Sequence, residues 1–215
     1  MSEPSRATQH FRFDQILRLM PATFAIIAAA FIAISSAARA QSYDQLKGWC
    51  YGDATDDQTI EGCNAVIRAN KESKADLASA YANLGFAYGN ERQYDKAIAS
   101  CDSAIAIDPK IASAYINRGI AYEAQGQHER AIKDYDLAIG LKPRDANIYN
   151  NRGLAYAAMG QYRRAIQDYD EALRLDFNFA RAFYNRGIAK QKVGDREGAE
   201  MDLHTARQLD PQVGN

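Results

Sequence analysis

The chain has 215 residues, of which 47% are hydrophobic and 25% are charged, so it can bury the core of one domain or of a short repeat array. Its formal net charge is only -1. This argues against nucleic acid as a partner, because binding to phosphates depends on a basic surface.

The N-terminal segment has the features of a secretory signal peptide. A mildly basic stretch precedes an apolar run from Pro21 to Ile34, and Ala38-Arg39-Ala40 has the small-x-small form that signal peptidase cleaves. A retained membrane anchor is the alternative, but a membrane span needs roughly twenty apolar residues. We therefore predict a signal peptide at residues 1–40 and a mature chain that begins at Gln41. This chain would be periplasmic or secreted, without stable membrane insertion after cleavage.

A period of 34 residues dominates the rest of the chain. Glycines, alanines and aromatic residues recur in register over four units without an insertion, which indicates a repeat architecture. Within each unit, apolar positions recur at helical spacing on both sides of a turn, which is predicted at Arg92, Gly126, Gly160 and Gly194. One helical hairpin cannot bury both of its faces, so neighbouring hairpins must stack. The recurring positions are Gly85, Gly119, Gly153 and Gly187; Ala97, Ala131, Ala165 and Ala199; Tyr81, Tyr115, Tyr149 and Phe183; and Tyr88, Tyr122 and Tyr156.

The order aromatic-x3-Gly-x2-Tyr, followed by two alanines and a proline, resembles the tetratricopeptide repeat family over residues 78–211. Cys101, Phe177 and Lys190 depart from the pattern. The resemblance implies an all-α fold, a right-handed α-solenoid of tandem 34-residue helix-turn-helix repeats. It also implies a concave face, lined by the first helix of each repeat, that binds peptides or helices of partner proteins. The predicted repeats are 78–111, 112–145, 146–179 and 180–215, the last with a polar C-terminal cap.

Residues 41–77 are predicted to form a degenerate helical pair that caps the first repeat. Shifting the repeat frame back by one period places Cys50 and Cys63 at the positions of Leu84 and Ala97, near the contact between two helices. An oxidising compartment favours a disulfide there, and two reduced, buried cysteines are the alternative. Cys101 is then left as a buried thiol, without the nearby base that a catalytic thiol needs.

An asparagine recurs two residues before each glycine on the first helix of each repeat. An asparagine side chain can donate to and accept from one peptide unit, so four in a row could bind an extended backbone. This resembles the asparagine ladder of some tetratricopeptide repeat proteins. The alternative is that these side chains contact the neighbouring repeat or solvent. The residues are Asn83, Asn117, Asn151 and Asn185.

Two further sets complete the predicted groove. Arg118 and Arg152 could recognise carboxylates, although a stem packed on a neighbouring helix with the head in water is the favoured interpretation. One apolar residue follows each glycine and could form the groove floor, with helix packing as an equal alternative. The apolar residues are Phe86, Ile120, Leu154 and Ile188.

The leading function is a non-catalytic scaffold in the cell envelope that binds a protein or peptide. No nucleophile elbow, phosphate loop, CxxC motif or metal-ligand spacing is found, so no catalytic residue, cofactor or metal is predicted. Asp134-Tyr135-Asp136 could suggest a metal, but residues two apart on a helix point away from each other, which favours solvated charges. A self-associating oligomer of stacked arrays is the structural alternative, and an enzyme is the least favoured one.

Overall fold

The computed structural model describes residues 41–214, and the predicted signal peptide lies outside them. This part of the chain contains ten α-helices and no strand, which confirms the all-α prediction. Within it, no helix combines the length and the hydropathy needed to cross a membrane. The helices are α1 (Tyr43–Tyr51), α2 (Asp56–Ala69), α3 (Lys74–Asn90), α4 (Tyr94–Ile107), α5 (Ala112–Ala124), α6 (His128–Leu141), α7 (Ala146–Ala158), α8 (Tyr162–Leu175), α9 (Ala180–Val193) and α10 (Arg196–Leu209).

The helices form five successive pairs that stack as a solenoid. Each odd-numbered helix packs against the even-numbered helix that follows it and against the even-numbered helix of the preceding pair. Successive odd-numbered helices also contact one another, whereas within the described residues the even-numbered helices do not. Because helices on the inside of a curved stack lie closer together, we call the odd-numbered helices inner and the even-numbered helices outer.

A residue in the left-handed backbone conformation forms the turn between the two helices of each of the four repeats. Gly126, Gly160 and Gly194 have φ of 73°, 73° and 90°, a region that glycine enters without a steric penalty. Arg92 takes the same position in the first repeat with φ of 59°. The turns therefore lie at the four residues at which the sequence predicts them.

Each repeat glycine lies beneath a side chain of its partner outer helix, and in the second and third repeats this side chain is a tyrosine. A Cβ built on Gly119 would approach Tyr135 Cε1 to 2.7 Å, and one on Gly153 would approach Tyr169 Cε1 to 2.6 Å. Both tyrosine side chains are fully buried. Gly119 and Gly153 are thus needed because an aromatic ring occupies the space that a side chain would take.

The N-terminal pair, α1 and α2, is fastened to α3 by an apolar cluster. Thr55 caps α2 and exchanges hydrogen bonds with Gln58 in a capping box, which fixes the start of that helix. Cys50 and Cys63 form a disulfide, as the sequence predicts. The cluster around the disulfide contains Cys50, Cys63, Val66, Ala80 and Leu84.

Removing this disulfide should loosen the N-terminal pair before the rest of the solenoid. For a loop of this length, the chain-entropy model gives a loss of about 3 kcal/mol. Trp49 is the single tryptophan and lies beside Cys50, so its fluorescence reports on this pair selectively. We expect Cys50→Ala/Cys63→Ala and the reduced wild-type chain to lower the urea midpoint seen by Trp49 equally. A Trp49 transition that is insensitive to reduction would contradict this assignment.

The C-terminal end of the stack is polar. Glu200 and Arg207 occupy the register positions that Ile132 and Ile139 hold in the second repeat, where these isoleucines pack against the core. Beyond α10 the chain turns back, so that Gly214 lies against the Tyr184 ring of α9. The last repeat therefore has charged side chains at positions where the second repeat has apolar side chains that pack against its neighbour.

Candidate functional site: the groove of the inner helices

One face of each inner helix points away from the outer helices. On α5, Arg118 and Gly119 face α6, whereas Asn117 and Ile120 lie on the opposite side. Residues at i, i+4, i+7 and i+11 share this opposite side, and none of the sixteen is buried. We call this set the inner stripe. Its members are Ser79, Asn83, Phe86 and Asn90; Ser113, Asn117, Ile120 and Ala124; Asn147, Asn151, Leu154 and Ala158; and Arg181, Asn185, Ile188 and Lys192.

The predicted apolar floor residues all lie on the inner stripe. Phe86 and Ile120 expose 52% and 42% of their surface, and Leu154 and Ile188 are half-buried. An exposed phenylalanine beside an exposed isoleucine is a surface that a folded chain does not need for its own packing. The inner stripe can therefore offer apolar contacts to a ligand.

Three of the four predicted asparagines use their amide N–H groups inside the protein. Asn83 Nδ2 donates to the Cys50 carbonyl at 2.9 Å, and Asn117 Nδ2 donates to the Ala82 carbonyl at 3.1 Å. Asn185 Nδ2 donates to Asn150 Oδ1 at 2.9 Å. Each bond links one inner helix to the preceding one, which is the alternative that the sequence leaves open. All four asparagines are half-buried on the inner stripe.

The predicted arginines point the other way and bind aspartates of two outer helices. Arg118 Nε and Nη2 donate to both oxygens of Asp134 at 2.8 and 2.7 Å, and its Nη1 donates to Asp102 at 2.5 Å. Arg152 makes the same three bonds to Asp168 and Asp136. The guanidinium groups of Arg118 and Arg152 therefore bind carboxylates of the protein itself. The sequence predicts either a guanidinium in water or one that binds a ligand carboxylate in the groove, and the observed contacts differ from both.

We call the three repeated Asp-Arg-Asp units the ion-pair ladder. Its centre is shielded, since the side chains of Arg152 and Asp168 are 20% and 8% exposed, whereas Asp136 is 51% exposed. Tyrosine rings lie beside the guanidinium groups, with Tyr115 and Tyr122 at 5.6 and 5.9 Å from Arg118 Cζ. The units are Arg118 with Asp102 and Asp134, Arg152 with Asp136 and Asp168, and Arg186 with Asp170 and Asp202.

The ion-pair ladder gives the Asp-Tyr-Asp motif a structural role. In α6, Asp134 binds the arginine of its own repeat and Asp136 binds that of the next repeat, while Tyr135 between them fills the core. No cluster of metal-ligating side chains is found in residues 41–214. Both aspartates are thus ion-paired, Asp134 in the interior and Asp136 at a half-exposed position, whereas the sequence predicts only solvated charges. Their recurrence at the arginine period was the signal for this pairing.

Asp202 in α10 has a second cation. Lys190 Nζ lies 2.8 Å from Asp202, in addition to the two bonds from Arg186. Burial raises the pKa of this carboxyl group, but the two cations outweigh burial and leave its pKa below the usual range. Lys190, which replaces the tyrosine of earlier repeats, therefore serves to close the last unit of the ion-pair ladder.

Cys101 has no feature of a reactive thiol. Its side chain is fully buried above Gly85, at the position that Tyr135 takes in the second repeat. Burial raises the pKa of the Cys101 thiol to about 12, which disfavours the nucleophilic thiolate at neutral pH. The thiol therefore packs as a small apolar group.

Glu123 is a partly buried acid beside the tyrosine core. Its Oε2 accepts a hydrogen bond from the Tyr135 hydroxyl at 3.1 Å. Burial raises the pKa of Glu123, against the opposing effects of that bond and of His128 nearby. His128 Nδ1 is itself buried without a hydrogen-bond partner in the described residues. The corresponding residues in other repeats are Gly89, Ala157 and Gln191, all neutral.

Glu123→Gln should therefore stabilise the protein at neutral pH. Ionisation of Glu123 costs more in the folded chain, so wild-type stability falls as pH rises from 4.5 through the raised pKa, and the glutamine variant lacks this loss. We expect the difference in unfolding free energy, measured by urea titration, to grow between pH 4.5 and 7. Exposed Glu129→Gln on α6 is the control. A pH-independent difference for Glu123→Gln would contradict the effect of burial.

Family models match most of the repeat region. Models described as "Tetratricopeptide repeat" match residues 78–111 and 100–133, and one described as "TPR repeat" matches 123–160 and 153–194. Comparison with curated proteins gives no match.

Solved structures show the same fold. A crystal structure of MamA is 26% identical to the chain, with a TM-score of 0.64 over 73% of this chain and 89% of MamA. MamA of Desulfovibrio magneticus RS-1, from residue 41 to its end, is 18% identical, with a TM-score of 0.68 over 80% and 96%. YrrB, described as "a TPR protein with an unusual peptide-binding site", is 20% identical, with a TM-score of 0.60 over 74% and 79%. Since the family matches together span residues 78–194, more than half of the chain, it belongs to the tetratricopeptide repeat family.

Proposed function

We propose that this protein is a non-catalytic scaffold that holds a peptide, or a segment of a partner protein, along the inner stripe. The observation that carries the proposal is the row of accessible apolar residues led by Phe86 and Ile120. The opposite sides of the same helices contact the outer helices through the glycine–tyrosine contacts and the ion-pair ladder. The inner stripe is thus the side of these helices that remains accessible to a ligand along the whole array.

The asparagines would supply polar contacts to the ligand backbone. With their N–H groups donated to the preceding inner helix, Asn83, Asn117 and Asn185 keep their amide oxygens as acceptors for peptide N–H groups. The same internal bonds fix the side-chain orientation, so little entropy is lost when a ligand binds. Arg118 and Arg152 would act indirectly, by holding the inner helices at a constant spacing.

The cell envelope is the proposed site of action. The Cys50–Cys63 disulfide supports an oxidising compartment, since disulfides rarely persist in the cytosol. The predicted signal peptide at residues 1–40 points to the same compartment. A binding partner is therefore sought among envelope proteins.

The test is capture from envelope extract with residues 41–215 as bait, quantified by mass spectrometry. Phe86→Glu/Ile120→Glu places two charges on the inner stripe and should abolish capture of specific partners. Leu137→Glu/Met201→Glu is the matched control, because these residues are 51% and 63% exposed on outer helices. Equal loss with both variants, or none with either, would reject the groove. Light scattering distinguishes this scaffold from a self-associating oligomer, because self-association predicts a molecular mass that rises with protein concentration.

A further inference from the structure

We infer that the groove is electrically polar along its length and selects peptides with an anionic end on α9 and a cationic end beside α1 and α2. This inference rests on the proposed function and specifies its ligand class. It arises from how charge is distributed over the inner stripe. The stripe residues of α3, α5 and α7 are all uncharged, whereas α9 contributes Arg181 and Lys192.

Arg181 and Lys192 are available for a ligand. Both side chains are exposed, and among residues 41–214 neither takes part in an ion pair. This distinguishes Arg181 and Lys192 from Arg118, Arg152 and Arg186, each of which is ion-paired with two aspartates. Arg181 Cζ lies 6.0 Å from the Phe179 ring, a contact that leaves its guanidinium N–H groups accessible to an anion.

The two cations lie on either side of the ligand path. They are eleven residues apart, which corresponds to about 16 Å along a helix. Asn185 and Ile188 lie between them on the same face. A peptide that crosses α9 at Ile188 therefore passes between two positive charges, which suits an acidic side chain or a free α-carboxylate.

The other end of the groove has the opposite charge. Asn83 and Phe86 line an open depression of about 320 Å³ together with Asp53 and Asp56 of the N-terminal pair. Asp56 accepts a hydrogen bond from Asn90 at 2.9 Å, which ties this acid to the inner stripe. The field therefore changes from negative at the N-terminal pair to positive at α9. Complementary charges on a ligand would fix its direction and register more than its affinity.

The spacing of the inner helices sets the ligand length. Packed helices lie about 8–10 Å apart, and an extended chain rises about 3.3 Å per residue. Every third ligand residue would then contact the next apolar residue of the inner stripe, from Phe86 on α3 to Ile188 on α9. The expected ligand is an extended segment of about ten residues, apolar at every third position and oppositely charged at its two ends.

The experiment selects random 12-residue peptides from a display library on immobilised chain 41–215. The wild-type chain should enrich peptides with basic residues in one terminal third and acidic residues in the other. Arg181→Glu/Lys192→Glu should replace the acidic preference by a basic one. A synthetic copy of the most enriched wild-type peptide should bind this variant about tenfold more weakly, as measured by fluorescence polarisation. Lys133→Glu/Arg163→Glu makes the same charge change on exposed residues of outer helices and should alter nothing.

The outcomes separate the two proposals. Enrichment without a bias in end charges, or a bias that survives Arg181→Glu/Lys192→Glu, would overturn the polar groove while leaving the peptide-binding scaffold in place. Absence of any enrichment by the wild-type chain would count against both. A loss of affinity that is equal in the outer-helix control would show a general charge effect and would also overturn the polar groove.

Discussion

Replacing Arg152 by alanine is expected to lower the free energy of unfolding by about 3–5 kcal/mol. The change leaves the Asp168 carboxylate, which is 8% exposed, without the two bonds at 2.9 and 2.6 Å that compensate its burial. It also releases Asp136 and so cuts a link between α6 and α8 through α7. Urea unfolding followed by circular dichroism measures the loss, and an unchanged midpoint would show that the buried pair contributes nothing.

The first repeat supplies the control for this prediction. There, Leu84 and Ser100 occupy the positions of Arg152 and Asp168, and both are buried without an ion pair. Arg152→Leu/Asp168→Ser should therefore recover most of the stability lost in Arg152→Ala, because no unpaired charge remains in the interior. If the double variant were as unstable as Arg152→Ala, lost packing of the arginine stem, rather than the unpaired carboxylate, would be the cause.

The contacts between successive helical pairs differ at the N-terminal end of the described residues. Three successive interfaces carry a unit of the ion-pair ladder, which joins one inner helix to two outer helices. The contact of α1 and α2 with α3 has Leu84 instead and relies on apolar packing around Cys50 and Cys63. A charged interface specifies register, because a shifted repeat would leave buried charges unpaired. At the N-terminal end, the disulfide constrains α1 against α2, and hydrogen bonds from Asn83 and Asn90 join this pair to α3.

The sequence is sufficient for the fold because its constraints are local. Gly126, Gly160 and Gly194 mark turns through their backbone conformation, and the small residues mark where helices meet. Gly119 and Tyr135 are sixteen residues apart within a single repeat, so a regular period brings them together each time. The disulfide followed from the same period, shifted back by one unit into a degenerate pair.

The candidate site was harder to predict from the sequence, because it depends on which side of each inner helix the neighbouring helices cover. Asn117 and Arg118 are adjacent in sequence, yet one lies on the inner stripe and the other faces the outer helices. Arginine alone does not reveal its partner, and Asp102 and Asp134 lie on different outer helices. The shared period of arginine and aspartate indicated the pairing. The burial that made pairing necessary is a property of the folded stack.

Truncation of Tyr169 tests the other main contact, the ring that lies over Gly153. Tyr169→Ala should lower the free energy of unfolding by about 3–5 kcal/mol, since a fully buried aromatic side chain is lost and its cavity remains. Tyr169→Leu should cost far less, because Leu203 fills the same position over Gly187 in the last repeat. Thermal unfolding of both variants gives the comparison. Equal losses would mean that the hydroxyl or ring shape, rather than filled volume above the glycine, holds the two helices together.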